Sequence, residues 1–122
     1  MRVECQINER GARAYQITVG NTYLAVELNI APSAEDTSQR LLFRLSADDE
    51  GVPGLYEADL FVPVDERMPS EWVLTQSSHG GSYVIGPRSW SAPGFWEDYF
   101  DGAASAQQAF DAELQRMNEE LG

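Results

Sequence analysis

The chain contains no lysine, one cysteine and one histidine. Each shortage closes a class of chemistry. Without lysine there is no Schiff-base nucleophile and no phosphate-loop lysine. All eight basic residues are arginine, which stays charged and cannot exchange a proton at ordinary pH. With Cys5 as the only thiol, no disulfide forms within the chain. Cys5 and His79 alone cannot supply the ligand set of an ordinary zinc or iron–sulfur site. Gly80-Gly81 and Gly86 match neither G-x-G-x-x-G nor a Walker loop. No charged-then-apolar segment opens the chain, so no signal peptide is expected. The apolar stretches fall short of the ~18 residues of a membrane helix. A soluble, cytoplasmic protein that needs no metal and no cofactor is the expectation.

What is present is acid. The 122 residues hold 20 acidic side chains against those eight arginines, a formal net charge of −12. This length fits one domain, at roughly 100–200 residues per domain, and the hydrophobic content of 43% is enough for a core and too high for disorder. A polyanion is repelled by nucleic acid and by anionic membrane surfaces, so the partner it favours is a basic one. The charge is uneven. Residues 1–47 are neutral; residues 48–71 carry Asp48, Asp49, Glu50, Glu57, Asp59, Asp65, Glu66 and Glu71 against Arg67; residues 97–122 carry seven acids against Arg116. Such runs also serve simply to keep a protein dissolved.

Hydrophobic alternation predicts strands. Val3, Cys5 and Ile7 alternate with polar residues, as do Tyr15, Ile17 and Val19. A third strand, Tyr23 to Ile30, puts Leu24, Val26, Leu28 and Ile30 on one face. Residues 31–38 read as a loop and Leu41 to Leu45 as a strand. Residues 47–54 form an acidic turn, and Leu55 to Val64 one bent strand or two short ones. Trp72 to Leu74 and Ser82 to Ile85 flank a hairpin loop at residues 77–81. Phe95 to Phe100 reads as a single helical turn opened by Pro93-Gly94. Ala103, Ala106, Phe110, Leu114, Met117 and Leu121 then recur at spacings of three and four, a docked amphipathic helix of about 18 residues capped by Asp101 or Ser105. The resulting fold class is α+β, mostly β: a small antiparallel, SH3-like barrel or curled sheet over residues 1–86, an aromatic-rich turn over 87–102, and a C-terminal helix over 103–121, all in one domain.

Catalytic signals are weak. His79 stands in a polar Ser-Ser-His-Gly-Gly loop with no orienting group in the pattern, so it does not read as a general base. Counting a calcium loop from Asp48 puts Val52 at the fifth position and Pro53 where glycine is needed, which leaves a polar turn. Glu97 and Asp98 beside Trp96 and Tyr99 are the best carboxylate pair for hydrolysis, and read more simply as the polar side of an aromatic-rich turn. No catalytic residue is assigned.

One ordered set of residues carries a resemblance. The acidic turn with Gly51 and Pro53 is followed by Ala58-Asp59-Leu60-Phe61-Val62-Pro63-Val64-Asp65, by Pro69-Ser70-Glu71-Trp72, by Pro87-Arg88-Ser89-Trp90, and by Gly94-Phe95-Trp96-Glu97-Asp98-Tyr99-Phe100-Asp101-Gly102. Over residues 48 to about 117 this resembles small bacterial proteins that accompany polymorphic or contact-dependent toxins, some of them as immunity proteins. The resemblance implies a small β-barrel with a C-terminal helix and no catalysis. It also implies an antitoxin-like function, tight stoichiometric binding of a basic toxin domain. The candidate partner-binding residues are Asp48, Asp49, Glu50, Glu57, Asp59, Asp65 and Glu66, with Trp90 and Trp96 as aromatic anchors if they are exposed rather than core. The alternatives are a non-toxin binding module or regulatory subunit, and a carboxylate hydrolase at the Trp96–Tyr99 cluster. A homodimer through an edge strand is open to any of them.

Overall fold

The computed structural model describes residues 1–32, 38–49, 52–76 and 81–122. Among the described residues ten strands form three antiparallel sheets. The strands are β1 (Arg2–Cys5), β2 (Glu9–Arg10), β3 (Arg13–Ala14), β4 (Thr22–Leu24), β5 (Glu27–Pro32), β6 (Gln39–Leu45), β7 (Gly54–Glu57), β8 (Phe61–Asp65), β9 (Trp72–Gln76) and β10 (Tyr83–Pro87). The largest sheet has the order β7-β6-β5-β10-β9, a smaller one β4-β1-β8, and β2 and β3 make a two-stranded ribbon. Two helices follow, α1 (Phe95–Phe100) and α2 (Ala104–Leu121). The chain is α+β and mostly sheet, with a C-terminal helix as expected, and its sheets are open.

Two cores result. Val3 and Cys5 of β1 are fully buried with Leu28, Phe43, Leu45, Leu60 and Phe61, joining the small sheet to one face of the large one. The second core holds Val26, Trp90, Phe95, Ala106, Phe110 and Met117, and is where the helices dock. The α2 stripe is placed as its spacing requires: Ala106, Phe110, Met117 and Leu121 are buried and Leu114 is half-buried. Polar contacts fix the far end of the helix. Arg67 donates to the Leu121 carbonyl at 2.9 Å, and the Glu120 carboxylate accepts from the Ser70 N–H at 2.9 Å. A cation on the last carbonyls also complements the helix dipole.

Several local expectations are corrected. Ile7 is 41% exposed, because β1 ends at Cys5 and the next two N–H groups both turn to the Leu60 carbonyl. The predicted strand through Tyr15, Ile17 and Val19 is irregular beyond the two residues of β3; Ile17 enters the core and Val19 stays out. Tyr23 to Ile30 is two strands rather than one. The chain leaves the small sheet after Leu24 and joins the large sheet at Glu27, and the Val26 N–H is held by the Arg44 carbonyl at 2.8 Å. Ala31 and Pro32 continue β5 instead of opening a loop. Of the two readings of residues 55–64, the broken one holds: β7 and β8 lie in different sheets with a 3-10 turn, Ala58–Leu60, between them. Neither Asp101 nor Ser105 caps α2; the N-cap is Ala103, whose N–H reaches the Asp98 carbonyl at the end of α1. The remainder of the expected loop at 31–38, the acidic turn at 50–51 and the hairpin tip with His79 fall wholly or largely outside the described residues.

Candidate functional site

The face of the large sheet that turns away from the first core carries a row of polar side chains. Glu27 on β5 lies directly across from Arg44 on β6, and Asn29 sits two residues further along the same face. Thr75 on β9 continues the row, with the apolar Val84 of β10 between it and Asn29. Pairing opposite charges across a ladder is favourable, and here it is buried: the Glu27 side chain is 1% exposed and that of Arg44 10%. Arg44 Nε donates to Glu27 Oε1 at 3.0 Å, Asn29 Nδ2 donates to the same oxygen at 2.9 Å, and Arg44 Nη1 donates to the Pro53 carbonyl at 3.2 Å. The second carboxylate oxygen, Oε2, is buried and has no hydrogen-bond partner.

Glycine makes room for this carboxylate. A Cβ at Gly86 on β10 would stand 3.0 Å from Glu27 Cγ and 3.6 Å from Oε2. A side chain there would require the glutamate to give by a few tenths of an ångström.

Aromatic side chains of the segment after β10 close over the row. A 3-10 turn, Arg88–Ser91, delivers Trp90, and Gly94, with φ of 81°, turns the chain into α1 and delivers Phe95 and Trp96. Trp90 stacks on Phe110 of α2 at 4.9 Å between ring centroids, and Trp96 meets Trp90 edge-on at 5.6 Å. The Arg44 guanidinium lies 3.9 Å from the Trp96 ring, a cation–π contact that ties the polar row to its cover. Thr75 Oγ1 and Ser91 Oγ are hydrogen-bonded at 2.9 Å on the same side. Between sheet and cover lies a cavity of about 330 Å³. Its walls include Glu27, Asn29, Arg44, Thr75, Trp96 and Glu97. Trp90 also lines it, and its indole N–H is buried without a partner.

The acidic residues singled out from the sequence do not form one patch of bare charge. Asp59 pairs with Arg10 at 3.0 Å, Glu57 with Arg40 at 2.8 Å, and Asp65 with Arg67 at 2.7 Å and with Arg2 at 3.7 Å. Glu71 pairs with Arg116. Five of the eight arginines are thus spent on the 48–71 region. Asp48 accepts from Thr18 Oγ1 at 2.6 Å and from Tyr23 Oη at 2.5 Å, and these two donors hold its carboxyl below the usual range. Hydrogen bonds from the Arg67 side chain and backbone do the same for Asp65. Glu66 makes no ion pair among the described residues, Asp49 lies in the acidic turn, and Glu50 is outside the described residues.

Around α1 the balance is different. Glu97, Asp98, Asp101 and Asp111 pair with no arginine among the described residues. Next to them Phe100 is 50% exposed, and Trp96 and Tyr99 are half-buried. Asp111 lies close enough that its charge, added to burial, raises the Tyr99 phenol. Of the two candidate anchors, Trp90 is core at 2% exposure and Trp96 reaches the surface. Cys5 is a core thiol, raised by burial and donating to the Ile7 carbonyl.

Sequence reasoning missed Glu27, Asn29 and Arg44. The signal that could have found them is a charge inside an apolar run: Glu27 interrupts Val26 and Leu28, Arg44 interrupts Phe43 and Leu45, and the two strands are adjacent in the chain. No group of three or more metal-binding side chains occurs among the described residues, and no helix there is long and apolar enough to cross a membrane. Comparison with protein-family models, with curated proteins and with solved structures returned no match to this chain.

Proposed function

We propose that this chain is an immunity-type protein that neutralises a basic toxin domain by stoichiometric binding, and that it does so with the surface around α1. The observation that carries the reading is the coincidence of unpaired acids with exposed aromatic area: Glu97, Asp98, Asp101 and Asp111 surround Phe100, Tyr99 and Trp96. Aromatic anchors supply binding energy at the centre of an interface, and charges around them speed the encounter with an oppositely charged partner. The arginine pairing of residues 48–71 moves the proposed binding face from that region to α1. We also read the short antiparallel strands as an SH3-like arrangement whose sheets stay open.

Co-expression with the product of the adjacent gene is the test. Rescue of growth and a one-to-one complex are the expected results. A neighbour that is harmless alone, or that stays lethal beside this protein, overturns the reading.

A second reading, a peptide-binding module, is favoured by β9. This edge strand carries no charged residue, and its Leu74 is 64% exposed. Edge strands of this kind accept an added strand. Recovery of an extended peptide from a housekeeping protein, with Leu74→Lys abolishing it, would establish that reading instead.

A further inference from the structure

We infer that the cavity between the polar row and Trp96 receives one arginine side chain of the basic partner, with its guanidinium donating to Glu27 Oε2. The inference rests on the binding function proposed above and deepens it. Three observations converge on the same place. First, Glu27 is a buried carboxylate with one oxygen satisfied twice and the other not at all. A buried acceptor without a donor is costly, and in native proteins it is rare enough to require a reason. Second, among the described residues the charged side chains lining the cavity are Glu27, Glu97 and Arg44. One negative charge is left over, which favours a cation. Third, the cavity's volume of about 330 Å³ is at the small end of ligand sites, ~300–1,000 Å³. It suits one side chain rather than a cofactor.

Guanidinium fits better than ammonium. It is planar, it packs against aromatic rings, and its several N–H groups reach more than one acceptor at once. Trp96 supplies the ring, already in contact with one guanidinium from Arg44. Glu27 at the base and Glu97 on α1 supply acceptors. Oε2 is closed to solvent, so the bond forms as a wall gives way. Of the two indoles lining the cavity Trp90 is buried and Trp96 is half-buried, so the less enclosed side of the cover is that of Trp96. Glu97 belongs both to the cavity and to the acidic surface of α1, so a side chain entering here extends the proposed interface.

The probe is methylguanidinium chloride, titrated into the whole chain and followed by the indole N–H resonances and by tryptophan fluorescence. Acetamide serves as a neutral donor and tetramethylammonium as a cation with no N–H. The expected result is a saturable shift of the Trp96 and Trp90 indoles by methylguanidinium alone. Glu97→Gln should weaken it ~3–10-fold through loss of a charge-assisted contact. Glu27→Gln combined with Arg44→Met, which removes both buried charges together, should abolish it. No saturable shift, an equal response to acetamide or tetramethylammonium, or full binding in the double variant overturns the inference; the first of these means that the cavity holds water only. The two proposals fail separately. Protection from the adjacent gene product with affinity unchanged in the double variant removes the arginine pocket and leaves the immunity reading. Methylguanidinium binding without protection removes the immunity reading alone.

Discussion

Glu27 and Arg44 show how much one buried pair constrains its surroundings. Removing one partner leaves the other charged, buried and unpaired. Glu27→Ala should therefore cost ~3–5 kcal/mol of stability, whereas replacing both charges costs much less, because desolvation offsets most of what a buried pair gains. The double variant Glu27→Gln with Arg44→Met keeps an acceptor for Asn29 and an unbranched chain against Trp96. It should recover most of the loss in a urea titration, where the midpoint shifts and the slope stays constant. An additive loss would show that the pair does not act as a unit. Gly86 belongs to the same unit: Gly86→Ala puts a methyl 3.0 Å from Glu27 Cγ and should destabilise by ~1–3 kcal/mol, as overpacking does. Little of this pair was legible in the sequence. Alternation places Glu27 in a strand, but only the register of β5 against β6 brings it opposite Arg44, and register is a tertiary property.

At the scale of elements, α2 was the most legible. Its stripe depends on the chain's own 3.6-residue period, and the 18 residues found agree with the length expected. Phe110 anchors it, touching Trp90 at 4.9 Å and Tyr99 at 4.9 Å between centroids. Phe110→Ala should cost ~3–5 kcal/mol by cavity formation. It should also loosen α1, since Tyr99, Trp96 and Trp90 all lean on the same ring. Hydrogen exchange would then show α1 amides opening before those of the large sheet; loss of protection spread evenly over the chain would contradict this. The strands were less legible for a physical reason. From Leu24 to Ile30 every second residue is apolar without a break, yet the backbone changes sheets at Ala25 and Val26, where hydrogen bonds to Met1 and Arg44 take over. Those partners are remote in sequence, so no local pattern announces the change. The outward side chains Ile7 and Val19 mislead in the same way: apolar residues at the surface are common, and alternation cannot distinguish them from core.

Over the whole molecule, charge governs both stability and encounter. Asp48 and Asp65 bind protons less readily when folded than when unfolded, so their contribution is present at neutral pH and is lost as the pH falls through and below the ordinary aspartate range, ~4. Asp48→Asn should flatten the acid limb of a melting-temperature profile; an unchanged limb would mean that Thr18 and Tyr23 hold the neutral side chain equally well. The same partition into paired and unpaired acids decides where a basic partner arrives first. Acids that already face an arginine present little net field, whereas Asp98, Asp101 and Asp111 project an uncompensated one. Reversing these three to Arg should slow association with the basic partner by ~10-fold or more at low ionic strength, with the difference shrinking as salt screens it. Reversing Glu57 and Asp59 should slow it less, since each substitution also strands Arg40 or Arg10 and changes the field mainly within the chain. Stopped-flow rates over a range of salt would rank the two faces. A larger effect from Glu57 and Asp59 would return the binding surface to residues 48–71, and equal small effects from both would leave the −12 as a device for solubility alone.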